Sequence, residues 1–202
     1  VTADAQIVLP LDTLEKPDKW VSVHKHFCDA VAVVQECASK DTTTFTMTCI
    51  HIHPKWVEAC DGHQVARYRL STGITAATII KKESLKHVAT LDMTEMSETP
   101  NWLHFRNPSG MVLSCRRYTE AYNDMSKPLD VKKAVPATLP KGLKEAVERA
   151  EIFSAELVDD NELFVEIDRG RVRIKGQGAS GWHQETKKMA GYTGPEFSFY
   201  IR

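Results

Sequence analysis

The residues best placed by type and spacing to do chemistry are few, and each has a plainer use. Gly176-Gln-Gly-Ala-Ser-Gly181 matches the G-x-G-x-x-G spacing of a dinucleotide-binding loop. Such a loop works when a helix follows at once, so that free N–H groups at the helix start meet the phosphates. Here Trp182-His-Gln-Glu185 follows without helical apolar spacing, and the glycines read as a tight or flexible loop. His51 and His53 fall on one face of an extended stretch. A metal site would need further ligands at suitable geometry. None stands nearby in sequence, so the pair reads as surface-facing. Asp61 and His63 could act as acid and base, but such a pair needs a nucleophile and a pocket. A turn residue beside an exposed ring is the better reading. Cys28, Cys37, Cys49, Cys60 and Cys115 are odd in number and include no C-x-x-C pair. That usage suits reduced, mostly buried thiols in a cytosolic protein. The sequence thus offers no catalytic set, no metal site and no cofactor loop.

Charge points in a different direction. The chain has 202 residues, 42% hydrophobic and 26% charged, with formal net charge −1. That composition suits a globular protein and argues against disorder. No apolar run approaches the ~20 residues of a membrane helix, and no basic segment opens a signal peptide. The first residue is Val1, which implies processing or a boundary upstream. A protein that grips nucleic acid by charge is usually strongly basic. If nucleic acid is the partner, the basic residues must therefore be gathered on one face. They are indeed uneven. Arg67, Arg69, Lys81, Lys82 and Lys86 form one stretch, and Arg169, Arg171, Arg173, Lys175, Lys187 and Lys188 form another. Taken singly, either run also reads as solvated strand or helix surface.

The elements that must position these residues alternate in type. Residues 1–20 read as an extended leading segment punctuated by Pro10 and Pro17. Phe27, Ala30, Val31 and Val34 recur at helical spacing within an expected helix over 24–38. Phe45, Met47 and Cys49 alternate with threonines in an expected strand that runs on to Ile52. Short strands follow at 56–60, 64–70 and 77–80, with Asp61-Gly62 as a turn. A helix is expected over 82–91, then a hairpin of 101–106 and 111–118. A proline-bearing linker spans about 123–140. A third helix over 141–153 precedes strands at 162–167, 171–176, 182–190 and 196–202. Few helices among antiparallel-looking hairpins give an α+β class. The third helix and its strands repeat the first half of the earlier unit. The division expected is 1–135 and 136–202, the second part being a truncated half.

One segment resembles a known family. Val57-Glu-Ala-Cys-Asp-Gly-His-Gln-Val-Ala66 is similar to the middle-domain signature of bacterial DNA sliding clamps, the β subunit of DNA polymerase III. In that family the strand ends in Ala-Thr-Asp-Gly-His-Arg-Leu-Ala. Thr78-Ile-Ile-Lys-Lys-Glu-Ser-Leu85 resembles the strand-to-helix step of the same domain. Leu113-Ser-Cys-Arg-Arg117 and Tyr122-Asn-Asp124 resemble the strand and the Phe-Pro-Asp segment before the interdomain linker. Leu139 to Ser154 resembles the opening helix of the third domain, and Gly170-Arg-Val-Arg-Ile-Lys175 one of its strands. The likeness runs from about residue 10 to 202. Gln64, Cys60 and Asn123 depart from the usual Arg, Thr and Pro, which suggests a divergent, phage-like member.

The resemblance implies a clamp fold, with antiparallel sheets outside and helices lining a central hole. It implies a ring-shaped homo-oligomer in the cytoplasm that encircles duplex DNA, has no catalytic activity and needs no cofactor. Partners would be the replicative polymerase and a clamp loader, docked through short peptide motifs. The residues it assigns to peptide docking are Phe45, Cys60, Gly62, His63, Gln64 and Val65. Those it assigns to the DNA-facing helices and their flanks are Lys25, Lys81, Lys82, Lys86, Lys141 and Lys144. A near-neutral chain suits a clamp, because each phosphate contact adds salt-dependent affinity that would hinder sliding. Two other readings stay open: an enzyme of nucleic-acid metabolism using the Asp61 and His63 region, and a clamp-like module that does not encircle DNA.

Overall fold

The structure, a computed structural model, describes residues 14–132, 134–154 and 162–201. The chain forms two compact units, Val1–Lys127 and Pro128–Arg202. The division falls inside the proline-bearing linker read from the sequence.

The first unit contains β1 (Val21–Ser22), α1 (Phe27–Val34), β2 (Cys49–His53), β3 (Trp56–Cys60), β4 (Val65–Arg69) and β5 (Thr78–Lys81). After these come α2 (Lys82–Leu85), α3 (His87–Thr90), β6 (Glu95–Glu98), β7 (Trp102–Arg106) and β8 (Val112–Arg116). Its strands make two antiparallel sheets, ordered β4-β3-β2-β5 and β1-β6-β7-β8. Phe27, Ala30, Val31 and Val34 of α1 are fully buried, as the spacing of those residues requires. They share a core with Ile50 and Ile52 of β2, Val57 and Ala59 of β3, and Leu103 and Phe105 of β7. Alternation along β2 sends Ile50 and Ile52 inward and His51 outward. The outward row continues through Glu58 and Arg67, which lie opposite His51 in register.

The second unit contains α4 (Leu143–Ser154), β9 (Leu163–Asp168), β10 (Arg171–Gly178), β11 (Gly181–Lys188) and β12 (Phe197–Ile201). Its antiparallel sheet runs β11-β10-β9-β12. That is the third-second-first-fourth order of β4-β3-β2-β5 with its preceding α1, so one supersecondary unit occurs twice. Ala146 and Ala150 of α4 are buried against Leu163, Val165, Val172 and Ile174. Gly176 lies directly beneath this helix. A Cβ there would stand 1.8 Å from the Ala150 carbonyl oxygen, so the bare backbone lets helix and sheet approach. The G-x-G-x-x-G segment is therefore a hairpin, with Gly178 paired to Gly181, and a strand follows it rather than a helix.

Several expected elements differ. The first α-helix covers only Phe27–Val34, with a 3-10 turn at Gln35–Cys37. No side chain caps its start at His26. Phe45–Thr48 is a 3-10 turn and not the opening of a strand. There the Thr48 hydroxyl donates to the Phe45 carbonyl at 2.7 Å, and such local bonds compete with a ladder. The helix expected over 82–91 is two single turns meeting at Lys86. β1 and β6 were absent from the sequence reading. β6 holds one strong apolar residue, Met96, and exists because β7 pairs with it.

Candidate functional site

The turn from Cys60 to Val65 joins β3 to β4, and these two residues are opposite in register. Asp61 builds the turn. Its Oδ1 accepts the backbone N–H of His63 at 2.9 Å and of Gln64 at 2.8 Å. Burial works against ionisation, but the Gln64 and His63 N–H groups outweigh it and hold the carboxyl below its usual range. That carboxylate is committed to the turn. Gly62 has φ +92°, a conformation that disfavours any side chain, and open space where a Cβ would point. Gln64 Nε2 donates to the Glu36 carbonyl and to Asp61 Oδ2, each at 3.2 Å. It thereby fastens the turn to the chain that leaves α1.

A cavity of 540 Å³ opens here, lined by His63, Gln64, Asp61 and Glu36 on one side and by Ser39–Thr44 residues and Met47 on the other. Its walls are largely polar. Of the residues assigned to peptide docking, His63 and Gln64 line it. Cys60 is buried below the turn, and Val65 is half-buried. Phe45 lies apart from the cavity lining, packed edge-on against Tyr118 with ring centroids 4.8 Å apart. Lys81 Nζ sits 5.3 Å above the same ring.

Beside the turn lies a polar cluster that sequence reasoning missed. Glu58 is 2% exposed, although it sits on the outward row of the sheet. Its carboxylate accepts Trp56 Nε1 at 3.0 Å and Arg67 Nε at 2.6 Å, and meets His51 Nδ1 at 2.7 Å. Desolvation pushes its pKa up, but the bonds from His51, Arg67 and Trp56 prevail and leave it lowered. Tyr122 covers the cluster by stacking on His51 at 4.8 Å. His53 stacks on Trp56 at 3.5 Å. The two histidines are thus packed into aromatic and ionic contacts, contrary to the surface-facing reading. The available signal was Glu58 itself, an acid inside the otherwise apolar Trp56–Cys60 run.

The lysines assigned to DNA are differently engaged. Lys25 is exposed in the turn before α1. Lys82 Nζ donates to the Ala38 carbonyl at 2.7 Å, a bond within the fold. Lys86 pairs with Glu83. Lys141 is exposed before α4, and Lys144 lies 3.7 Å from Glu148. The solvent side of α1 carries Asp29, Ala32 and Val33, with Glu36 in the 3-10 turn that follows, and that of α4 carries Glu145, Glu148, Glu151 and Ile152 beside Lys144 and Arg149. Among the described residues no group of three or more His, Cys, Asp or Glu side chains is placed to hold a metal ion. No described helix is long and apolar enough to cross a membrane. None of the cysteines is in a disulfide, and burial pushes the Cys115 thiol up to about 12.

Two antiparallel sheets behind short helices, followed by a second copy of the helix-and-sheet unit, define the DNA sliding-clamp fold. A sliding clamp from Bacillus subtilis superposes with TM-score 0.78 at 14% identity, covering 93% of this chain and 54% of that one. The β subunit of the Streptococcus pyogenes DNA polymerase gives TM-score 0.71 at 17% identity, over 93% and 53%. The DNA polymerase III β subunit of Pseudomonas aeruginosa gives 0.71 at 12%, over 95% and 57%. The chain therefore spans about half the length of these solved structures. No protein-family profile and no curated protein matches the sequence.

Proposed function

We propose that the chain is part of a DNA sliding clamp, a non-catalytic ring that encircles duplex DNA and tethers the replicative polymerase. The observation that carries this reading is the doubled α-then-four-strand unit, superposing on clamp structures over nearly all of the chain. A ring needs repeated units with complementary ends, closed by symmetry. Residence on DNA then comes from topology, and the near-zero net charge keeps phosphate contacts weak enough for sliding. The test is retention on DNA. Loaded intact protein should stay on closed circular duplex and run off the same duplex after a single cut. Equal loss from both forms rejects encirclement. Assays for nuclease and ATPase turnover with Mg²⁺ should be blank, and turnover abolished by His63→Ala would favour the enzyme reading.

The partner site in this reading is the cavity beside the Cys60–Val65 turn, taking a short peptide motif from the polymerase or the clamp loader. Gly62 leaves its rim open, and Ala38 and Met47 are the apolar residues of its lining. Because Gly62 has positive φ, replacing it would strain the backbone as well as block the site. His63→Trp avoids that strain and places an indole in the cavity. It should abolish capture of a clamp-binding peptide and leave the melting temperature nearly unchanged. Undiminished capture places the partner site elsewhere.

A specific observation favours a second reading. The solvent side of α1 carries no cation, and that of α4 sets three acids, Glu145, Glu148 and Glu151, against Lys144 and Arg149. Such helices suit a clamp-like module that does not encircle DNA. The circular-against-linear experiment separates the two.

A further inference from the structure

The second unit's sheet has one face covered by α4 and one open to solvent. Residues opposite in register share a face. On the open face Gln184, Lys175, Phe164 and Tyr200 form one row across all four strands. Trp182 and Gln177 sit in register beside that row. Tyr200 is 64% exposed and Trp182 63%, a large aromatic exposure for a sheet surface. The Phe164 and Tyr200 rings lie 5.3 Å apart and, with Lys175, Gln177 and Glu162, line a shallow hollow of 340 Å³.

The charges on this face are arranged at the fold's expense. Arg171 stands opposite Lys188 on one side and Asp168 on the other; the Arg171–Lys188 placement destabilises a strand pair. The neighbouring acids are already taken: Glu166 pairs with Arg173, and Asp168 with Arg169. Lys175, Arg171 and Lys188 form no ion pair among the described residues. An anion laid across the strands would relieve that repulsion.

We propose that this open face binds single-stranded DNA, with bases stacked on Tyr200, Phe164 and Trp182 and phosphates against Lys175, Arg171 and Lys188. Stacking needs bare base faces, which a duplex hides and a single strand offers. Trp182 and Tyr200 are on strands three spacings apart, about 14 Å, a distance an extended strand crosses in a few nucleotides. Gln177 and Gln184 supply amide donors and acceptors for base edges. An acidic peptide would use the cations and leave the rings idle. Thr186 and Ser198 lie in the next row of the same face; deoxyribose needs neither hydroxyl, and oligouridylate is the arm that separates RNA from DNA. This surface goes beyond the clamp reading and does not depend on it.

The experiment uses the intact protein and a labelled oligothymidylate of about a dozen nucleotides, followed by anisotropy at low salt. Binding should saturate, quench tryptophan fluorescence and weaken as salt rises. Trp182→Ala and Tyr200→Ala should each weaken it about tenfold, while Trp182→Phe keeps most of the affinity. Arg171→Glu with Lys188→Glu should flatten the salt dependence. Both rings are more than half exposed, so the variants should melt like wild type, and the wild-type quench alone still tests stacking if one does not. No saturable binding, or equal binding by both alanine variants, overturns the proposal. So does equal affinity for the matching duplex, displacement by an acidic peptide at equal charge, or tighter binding of oligouridylate.

Discussion

The Tyr122 hydroxyl oxygen accepts the backbone N–H of Cys60 at 3.0 Å and lies 3.6 Å from its Sγ, across 62 positions of sequence. This contact ties the chain leaving the first unit to the end of β3, beside the candidate docking turn. Burial, with the neighbouring Cys60 sulfur, pushes the phenol well above its usual pKa, so it stays a protonated donor. Tyr122→Phe keeps the stack on His51 and removes the acceptor. A buried N–H left without a partner costs about 1–3 kcal/mol. Urea denaturation should show a loss in that range, and Tyr122→Ala should lose more. A Phe variant as stable as wild type would mean that water replaces the phenol.

Glu58 gives the fold a pH dependence. Its folded pKa lies below the usual 4.5, so the stabilisation it contributes is present above about pH 4.5 and is lost as pH falls through the folded value. Glu58→Gln removes the charge and leaves Arg67, which is 10% exposed, without its partner. Breaking a buried pair in this way costs about 3–5 kcal/mol near neutrality. The gap between wild type and variant should narrow as the solution is made more acid. Melting temperatures measured from neutral pH down to pH 3 would show it, and a gap that widens toward acid would contradict the assignment.

Much of the core was legible because burial follows periodicity. Phe27, Ala30, Val31 and Val34 announce α1, and Leu163, Val165 and Ile167 announce β9, since one face of each must leave water. What escaped depends on partners distant in sequence. β6 has a single strong apolar residue and is a strand because β7 lies alongside. Phe45 alternates like a strand residue, but Thr48 bonds back to its carbonyl. The role of Glu58 needs Arg67 and Tyr122 brought over it, and no local pattern encodes that. The turn at Asp61-Gly62 was legible, because Asp and Gly carry turn chemistry in themselves.

The lysines read as DNA-facing separate by what they already bind. Lys82→Glu should destabilise the first unit, since its ammonium holds the Ala38 carbonyl. A hydrogen bond from a charged donor is worth about 1.5–3 kcal/mol. Lys25→Glu with Lys86→Glu should leave stability within about 0.5 kcal/mol, as for surface positions generally. In the intact protein the pair should reduce processive synthesis at low salt, with the deficit shrinking as salt screens the charges. Normal processivity at low salt would remove both residues from the DNA-facing surface.

Gly176 and Gly62 make a paired test of the difference between close approach and backbone freedom. At Gly176 an added Cβ meets the Ala150 carbonyl oxygen at 1.8 Å, its carbon at 2.6 Å and its Cα at 3.1 Å. These are backbone atoms of α4, which cannot rotate aside, so the helix must lift from β10. Ala146 and Ala150 would then lose their seat against Val172 and Ile174. Overpacking of a core costs about 1–3 kcal/mol, and a rigid backbone neighbour puts Gly176→Ala at or above the upper end. At Gly62 nothing lies within 4 Å, and the only penalty is the φ of +92°. A non-glycine residue held in such a region costs about 1–3 kcal/mol, and Asn tolerates it better than Ala. The two sites should therefore respond differently to the choice of residue. Gly62→Asn should recover part of the stability lost in Gly62→Ala, whereas Gly176→Asn should be worse than Gly176→Ala. Hydrogen exchange would locate the second effect, with protection lost in α4 and β10 and retained in the first unit. Recovery by Asn at Gly176 would show that backbone conformation, and not the nearness of α4, keeps glycine at that position.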